Sequence, residues 1–213
     1  MTIIIFSILS LLLMGSMIYM IFTQNNEPRT IAVYSGSFNP IHIGHKAVID
    51  YLSKEYDWTY LIVTPQNPLK DKIEKPIENR IEDVTKALLK NEYFNVTVNA
   101  IENTMQPPYY TINTLRKLQE KESNNKFKLV IGADCLSDIR QWKSYDEILS
   151  DFGVIVFPRD NITATELETI KSNLLNENHS YQIDIINIKT PNISSTEIRN
   201  AINNGNNVNY LLM

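Results

Sequence analysis

The segment "TIAVYSGSFNPIHIGHKAVIDYL", Thr30 to Leu52, passes from one backbone regime to another within a few residues, and that passage decides the fold class. Thr30 to Ser35 is a short apolar run that stops at a glycine-containing turn, as a strand buried in a parallel sheet does. Gly36 and the Asn39–Pro40 pair let the chain bend sharply. From Gly44 to Tyr56 the apolar residues Ala47, Val48, Tyr51 and Leu52 recur at the spacing of a helix face. The stretch therefore reads as strand, tight loop, helix.

The same alternation continues outward. Trp58 to Thr64 reads as a strand, and Pro76 opens a helix over 77–90 with Ile81, Val84 and Leu88 on one stripe. Strands are expected at 94–100, 128–131, 153–157 and 181–188, and helices at 111–121, 144–150, 163–175 and 194–203. Strand and helix alternating without internal repeats predict an α/β fold, a doubly wound (Rossmann-like), mostly parallel sheet with helices on both faces. Ligands bind such sheets at the carboxyl edge of the strands. The loop from Tyr34 to His45 leaves its strand at that edge.

A chain of 213 residues accommodates one sizeable domain and an appendage. The net charge of −4 supplies no basic field for a nucleic-acid backbone. Cys135 is the single cysteine, which excludes an intrachain disulfide and a multi-cysteine zinc site. The appendage is expected at 1–29, ahead of a domain at 30–213. Within it, Ile3 to Phe22 carries no charge, and twenty residues of helix would span about 30 Å of hydrocarbon. It reads as a transmembrane helix, followed by Arg29 on what would be the cytoplasmic side. A secretory signal and a downstream start at Met20 are the competing readings.

Two groups of residues carry candidate chemistry. His42 and His45 flank Gly44 where the first helix begins, and a helix start offers N–H groups and partial positive charge to a phosphate. Imidazoles there can donate to charge developing on a phosphoryl oxygen. Ordinary loop hydrogen bonding is the alternative, and zinc lacks further ligands at suitable spacing. In "ISSTEIR", Ile193 to Arg199, Ser194 and Glu197 form a capping box. It places Ser195 and Thr196 in a first turn with Arg199 one turn on, either a plain helix start or a second anion cradle.

Together, "GSFNPIHIGH" and "ISSTEIR" resemble the HxGH and ISSTxxR pair of the nucleotidyltransferase superfamily. "VTPQNPLK", "PPYYTINTLRKL" and "VIGADCLSDIRQWKSYDEI" narrow the resemblance to the bacterial nicotinate mononucleotide adenylyltransferases, over about residues 29–205. The resemblance implies adenylyl transfer from ATP to nicotinate mononucleotide by in-line attack, with Mg²⁺ arriving on the nucleotide. It implies that His42 and His45 contact the ATP phosphates, that Ser195, Thr196 and Arg199 hold them further along, and that Gly132 and Asp134 line the nucleotide cleft. Gly36, Ser37 and Phe38 would lie against the substrates, Lys70 would balance phosphate charge, and Thr111 and Trp142 would receive the nicotinate ring. Where related enzymes often read "PPHK", this chain reads "NPLK", which keeps the lysine and drops the histidine.

Overall fold

The computed structural model describes residues 27–66, 75–159 and 162–213. Among them six strands form one sheet, every pair parallel. In chain order they are β1 (Thr30–Gly36), β2 (Trp58–Val63), β3 (Val96–Asn99), β4 (Lys126–Gly132), β5 (Val154–Phe157) and β6 (Ile183–Ile185), arranged β3-β2-β1-β4-β5-β6. The helices are α1 (Ile43–Glu55), α2 (Ile77–Lys90), α3 (Thr111–Lys121), α4 (Ala133–Ser137), α5 (Tyr145–Glu147), α6 (Ala164–Glu177) and α7 (Ser195–Asn203).

Side-chain alternation along the strands sorts the helices onto two faces. Ile31 and Val33 of β1 point into one core with Ile112, Leu115 and Leu118 of α3 and Leu167 and Leu174 of α6. Ala32 and Tyr34 point into the other with Val48, Ile49 and Leu52 of α1 and Val84, Ala87 and Leu88 of α2. A leucine buried this way contributes roughly 1.5–3 kcal/mol, so each helix is held to its face by a stripe of such residues. The chain runs outward from β1 to β3, then crosses back to place β4 beside β1. That reversal opens a crevice at the carboxyl ends of β1 and β4, where an open α/β sheet takes its ligand.

The structure departs from the sequence reading at particular points. The sheet is wholly rather than mostly parallel. β3 starts at Val96, leaving Phe94 at 91 % exposure outside the ladder. β6, expected over 181–188, is a three-residue edge strand because the chain must leave it to reach the crevice at Thr190. "GADCLS" is not a plain turn but α4, followed by a 3₁₀ turn at Ile139–Gln141. Ile3 to Phe22, read as a transmembrane helix, lies outside the described residues. Among the described residues no helix is long and apolar enough to cross a membrane.

Candidate active site

His42 is the N-cap of α1, and the two imidazoles cap that helix reciprocally. His42 Nδ1 accepts from the Gly44 N–H at 3.1 Å, and His45 Nδ1 accepts from the His42 N–H at 3.2 Å. This is a capping box in which imidazoles replace the usual hydroxyl and carboxylate. An accepting Nδ1 fixes the proton of a neutral ring on Nε2. Both rings therefore carry their donor on the side away from the helix start.

The rings lie 3.8 Å apart between centroids, tilted by 34°. Gly44 makes room for them, since a Cβ there would stand 2.9 Å from His42 Cε1 and 3.0 Å from its Nδ1. His42 is 5 % exposed. Burial, reinforced by the Arg159 guanidinium and opposed by Glu197, pulls its pKa down to about 4. At neutral pH it is an uncharged donor.

An aromatic floor lies beneath. Phe38 meets His45 at 5.0 Å between centroids, and Tyr34 meets both Phe38 (5.5 Å) and Phe157 (5.8 Å) edge-on. The backbone turns Phe38 inward with φ at 45°, a left-handed conformation that a bulky residue adopts rarely and mostly at functional loops. A Cβ on Gly36 would press that ring at 3.3 Å. Above the floor is a cleft of about 330 Å³ lined by His42, His45, Asp134, Arg159 and the stretch Thr190 to Ile193.

Asp134 Oδ1 is buried there and makes no hydrogen bond; Arg159 Nε stands 3.7 Å from it. Gly132 allows that approach, because a Cβ on it would lie 2.4 Å from Asp134 Oδ1 and 3.1 Å from Arg159 Nε.

The "ISSTEIR" segment starts α7 as expected. Glu197 accepts from both the N–H and the hydroxyl of Ser194 at 2.7 Å. The helix start thus already holds a carboxylate. Ser195 Oγ donates to Pro40 O at 2.9 Å, and Arg199 donates to Asn39 O at 2.8 Å and to Thr196 Oγ1 at 2.9 Å. In this structure these side chains form a staple that holds the histidine loop from across the fold. Ser195, Thr196 and Arg199 stand beside the cleft rather than in its lining.

Thr111 opens α3 after Tyr110, whose side chain does not cap the helix. Trp142 closes the 3₁₀ turn and is half-buried against the α3-side core. The two segments meet: Lys143 Nζ lies 4.7 Å over the Tyr110 ring, and Arg116 donates to Glu147 at 2.7 Å. Neither Thr111 nor Trp142 lines the cleft of the histidines. Ser37 presents its carbonyl to Arg80 at 2.9 Å. Lys70 lies outside the described residues.

The cytidylyltransferase-like family profile matches residues 33–201, from β1 into α7. A probable nicotinate-nucleotide adenylyltransferase of Flavobacterium psychrophilum is 35 % identical over 188 residues, covering 85 % of this chain and 91 % of that one. One of Fusobacterium nucleatum is likewise 35 % identical, covering 85 % and 92 %. The chain belongs to the nicotinate-nucleotide adenylyltransferase family. Its fold is shared with the Plasmodium falciparum nicotinic acid mononucleotide adenylyltransferase solved with NaAD. That likeness has a TM-score of 0.70 at 22 % identity, over 85 % of this chain and 87 % of that one.

In this member of the adenylyltransferase family, sequence reasoning missed Arg159. No motif spacing marks it, and its one legible signal is position, two residues beyond the carboxyl end of β5. It also missed that the histidines are helix caps, because the usual capping signature names hydroxyl and carboxyl residues. Among the described residues no three His, Cys, Asp or Glu side chains are grouped to hold a metal ion.

Proposed function

We infer that this adenylyltransferase joins ATP to nicotinate mononucleotide, giving deamido-NAD and pyrophosphate. A phosphate oxygen of the mononucleotide attacks the α-phosphorus in line, and the bond from that phosphorus to the bridging oxygen of pyrophosphate breaks. Such a reaction needs positioned reactants and stabilised charge rather than a covalent nucleophile. The observation that carries the reading is the reciprocal histidine cap: both Nδ1 atoms accept from the backbone, so each neutral ring keeps its N–H on Nε2, and both rings line the cleft.

In this reading His42 and His45 donate to the phosphoryl oxygens as negative charge builds, His45 acting on the α-phosphate. Thr196 and Arg199 meet the β- and γ-phosphates beyond the cleft, while Ser195 acts through Pro40. Asp134 accepts from a ribose hydroxyl beside Gly132. The backbone of Gly36, Ser37 and Phe38 lies against the mononucleotide, Lys70 balances its phosphate, and Thr111 and Trp142 receive the nicotinate ring. A flat aromatic face suits a pyridine ring. Magnesium belongs to the substrate, held by the oxygens of ATP and by water.

The test is pyrophosphate release by the full chain with ATP and nicotinate mononucleotide, beside His45→Ala. Loss of one preorganised donor lowers kcat about 10²–10³-fold, and an unchanged kcat sinks the mechanism. Equal turnover of the nicotinamide form would overturn the acid preference, and faster turnover of pantetheine phosphate the acceptor class. We also propose that Ile3 to Phe22 anchors the chain with its catalytic domain in the cytoplasm. Full-length protein found wholly in the soluble fraction after cell lysis refutes that.

A further inference from the structure

Thr64 follows the last residue of β2 and is 8 % exposed, yet it is bonded to four residues on three separate segments. Its N–H donates to Gly36 O at 3.0 Å. Its carbonyl accepts from Arg80 Nη1 at 2.8 Å. Its hydroxyl donates to Glu102 Oε2 at 2.9 Å and lies 3.0 Å from Ser35 Oγ. Since the one hydroxyl proton of Thr64 goes to Glu102, Ser35 donates to Thr64.

The two ends of this hub are the charged side chains buried among the described residues. Arg80, 1 % exposed, also donates to the carbonyls of Ser37 (2.9 Å), Pro65 (3.1 Å) and Lys75 (3.2 Å). Glu102, 2 % exposed, also accepts from Thr114 Oγ1 of α3 at 2.7 Å. Burial raises its carboxyl above the usual range, and the two hydroxyl donors oppose that rise.

A buried ion without an opposite charge is expensive to keep. Here both ions are satisfied by groups on segments that must hold their spacing. Arg80 grips Ser37 in the loop after β1, and Glu102 grips α3 one turn beyond Thr111. The Thr64 backbone and hydroxyl join the two grips across the carboxyl edge of the sheet. Neither ion lines the histidine cleft.

We propose that Glu102 and Arg80, joined through Thr64, are positioning residues for the mononucleotide. They hold the loop after β1 and the start of α3 at the separation the acceptor requires, without touching it. The inference rests on the placing of the mononucleotide between the loop after β1 and the start of α3.

It is tested on the full chain by steady-state kinetics and by calorimetric binding of nicotinate mononucleotide and of ATP separately. Glu102→Ala is expected to raise KM and Kd for the mononucleotide tenfold or more while those for ATP stay within twofold. Glu102→Gln keeps both threonine links through its amide and is expected to return them to within threefold of the parent. A folded Glu102→Ala chain with unchanged mononucleotide affinity overturns the proposal, as does an equal rise for both substrates. Should Glu102→Ala fail to fold, Thr114→Val cuts one link with little change of shape. It is expected to raise KM for the mononucleotide about threefold, and no rise overturns the proposal.

Thr111→Ala separates the two ideas. If it changes nothing while Glu102→Ala weakens the mononucleotide, the positioning role stands and the assignment of Thr111 falls. A parent chain that binds no nicotinate mononucleotide overturns both.

Discussion

Replacing Gly44 by alanine should nearly abolish turnover at a modest cost to the stability of the fold. The added Cβ would stand 2.9 Å from Cε1 and 3.0 Å from Nδ1 of His42, and 3.4 Å from Ile193 Cγ2. Carbon contacts settle at about 3.5–4.0 Å, so the imidazole must withdraw by roughly half an ångström. It cannot do so freely, being almost fully buried with the His45 ring 3.8 Å away.

A matching withdrawal would stretch the 3.1 Å Gly44 N–H to Nδ1 bond to about 3.6 Å, which is no longer a hydrogen bond. Loss of the cap costs about 1 kcal/mol, and alanine in place of glycine inside a helix returns about the same. The strain of the crowded ring remains, about 1–3 kcal/mol, so the thermal midpoint should fall by several degrees with the chain still folded. The Nε2 donor, however, is no longer held in place, and a misaimed preorganised donor costs about 10²–10³ in kcat, roughly 3–4 kcal/mol. Saturating both substrates and following pyrophosphate release measures this directly. A kcat within threefold of the parent for the folded variant would refute the argument that Gly44 exists to seat the two rings.

Three further predictions concern pH, the staple and the core. Because folding lowers the pKa of His42 to about 4 from the ordinary value of 6.5, the unfolded chain takes up a proton below pH 6.5 that the folded chain refuses. That stabilisation, on the order of 3 kcal/mol, is full above about pH 6.5 and is lost as pH falls to 4. His42→Asn should flatten the corresponding drop in melting temperature between pH 6.5 and 4, and an unchanged drop would count against the burial argument. Glu102 works in the opposite sense, its raised carboxyl favouring the fold as pH falls.

Arg199→Lys keeps the charge but cannot span Asn39 and Thr196 as a planar fork does. KM for ATP should rise about tenfold in initial-rate measurements, and an unchanged KM would refute the role of the staple. Leu115→Ala, in the fully buried α3 stripe, should cost about 2–5 kcal/mol by urea titration with kcat per folded molecule retained. A loss below 1 kcal/mol would show that the helix is not held as described.

The fold was legible because its signals are local. An apolar run ending at Gly36, a stripe at Ile81, Val84 and Leu88, and a Ser194–Glu197 capping box each concern residues within one element. The order of the strands was not, since alternation alone does not say that β4 returns to lie beside β1. At the site, His42, His45 and Asp134, picked out from two separate stretches of sequence, line one cleft. What escaped was how polar groups are used.

Nothing in "HIGH" says that each imidazole spends its Nδ1 on the backbone. Nothing in "ISSTEIR" says that Ser195 and Arg199 spend donors on carbonyls at Pro40 and Asn39, 155 and 160 residues away. Arg159 and Glu102 were silent for the same reason: their partners are set by the sheet, not by neighbours in the chain.

That long reach sets a timetable for synthesis. A ribosome delivers both histidines early, with the first strand and helix, and domains commonly fold as the chain emerges. The carbonyls of Asn39 and Pro40 find their donors only when α7 arrives near the other end. A chain stalled at β4 would own the histidine loop but neither Ser195 nor Arg199 to clamp it. The clamp on the histidine loop is thus among the last contacts the growing chain can make.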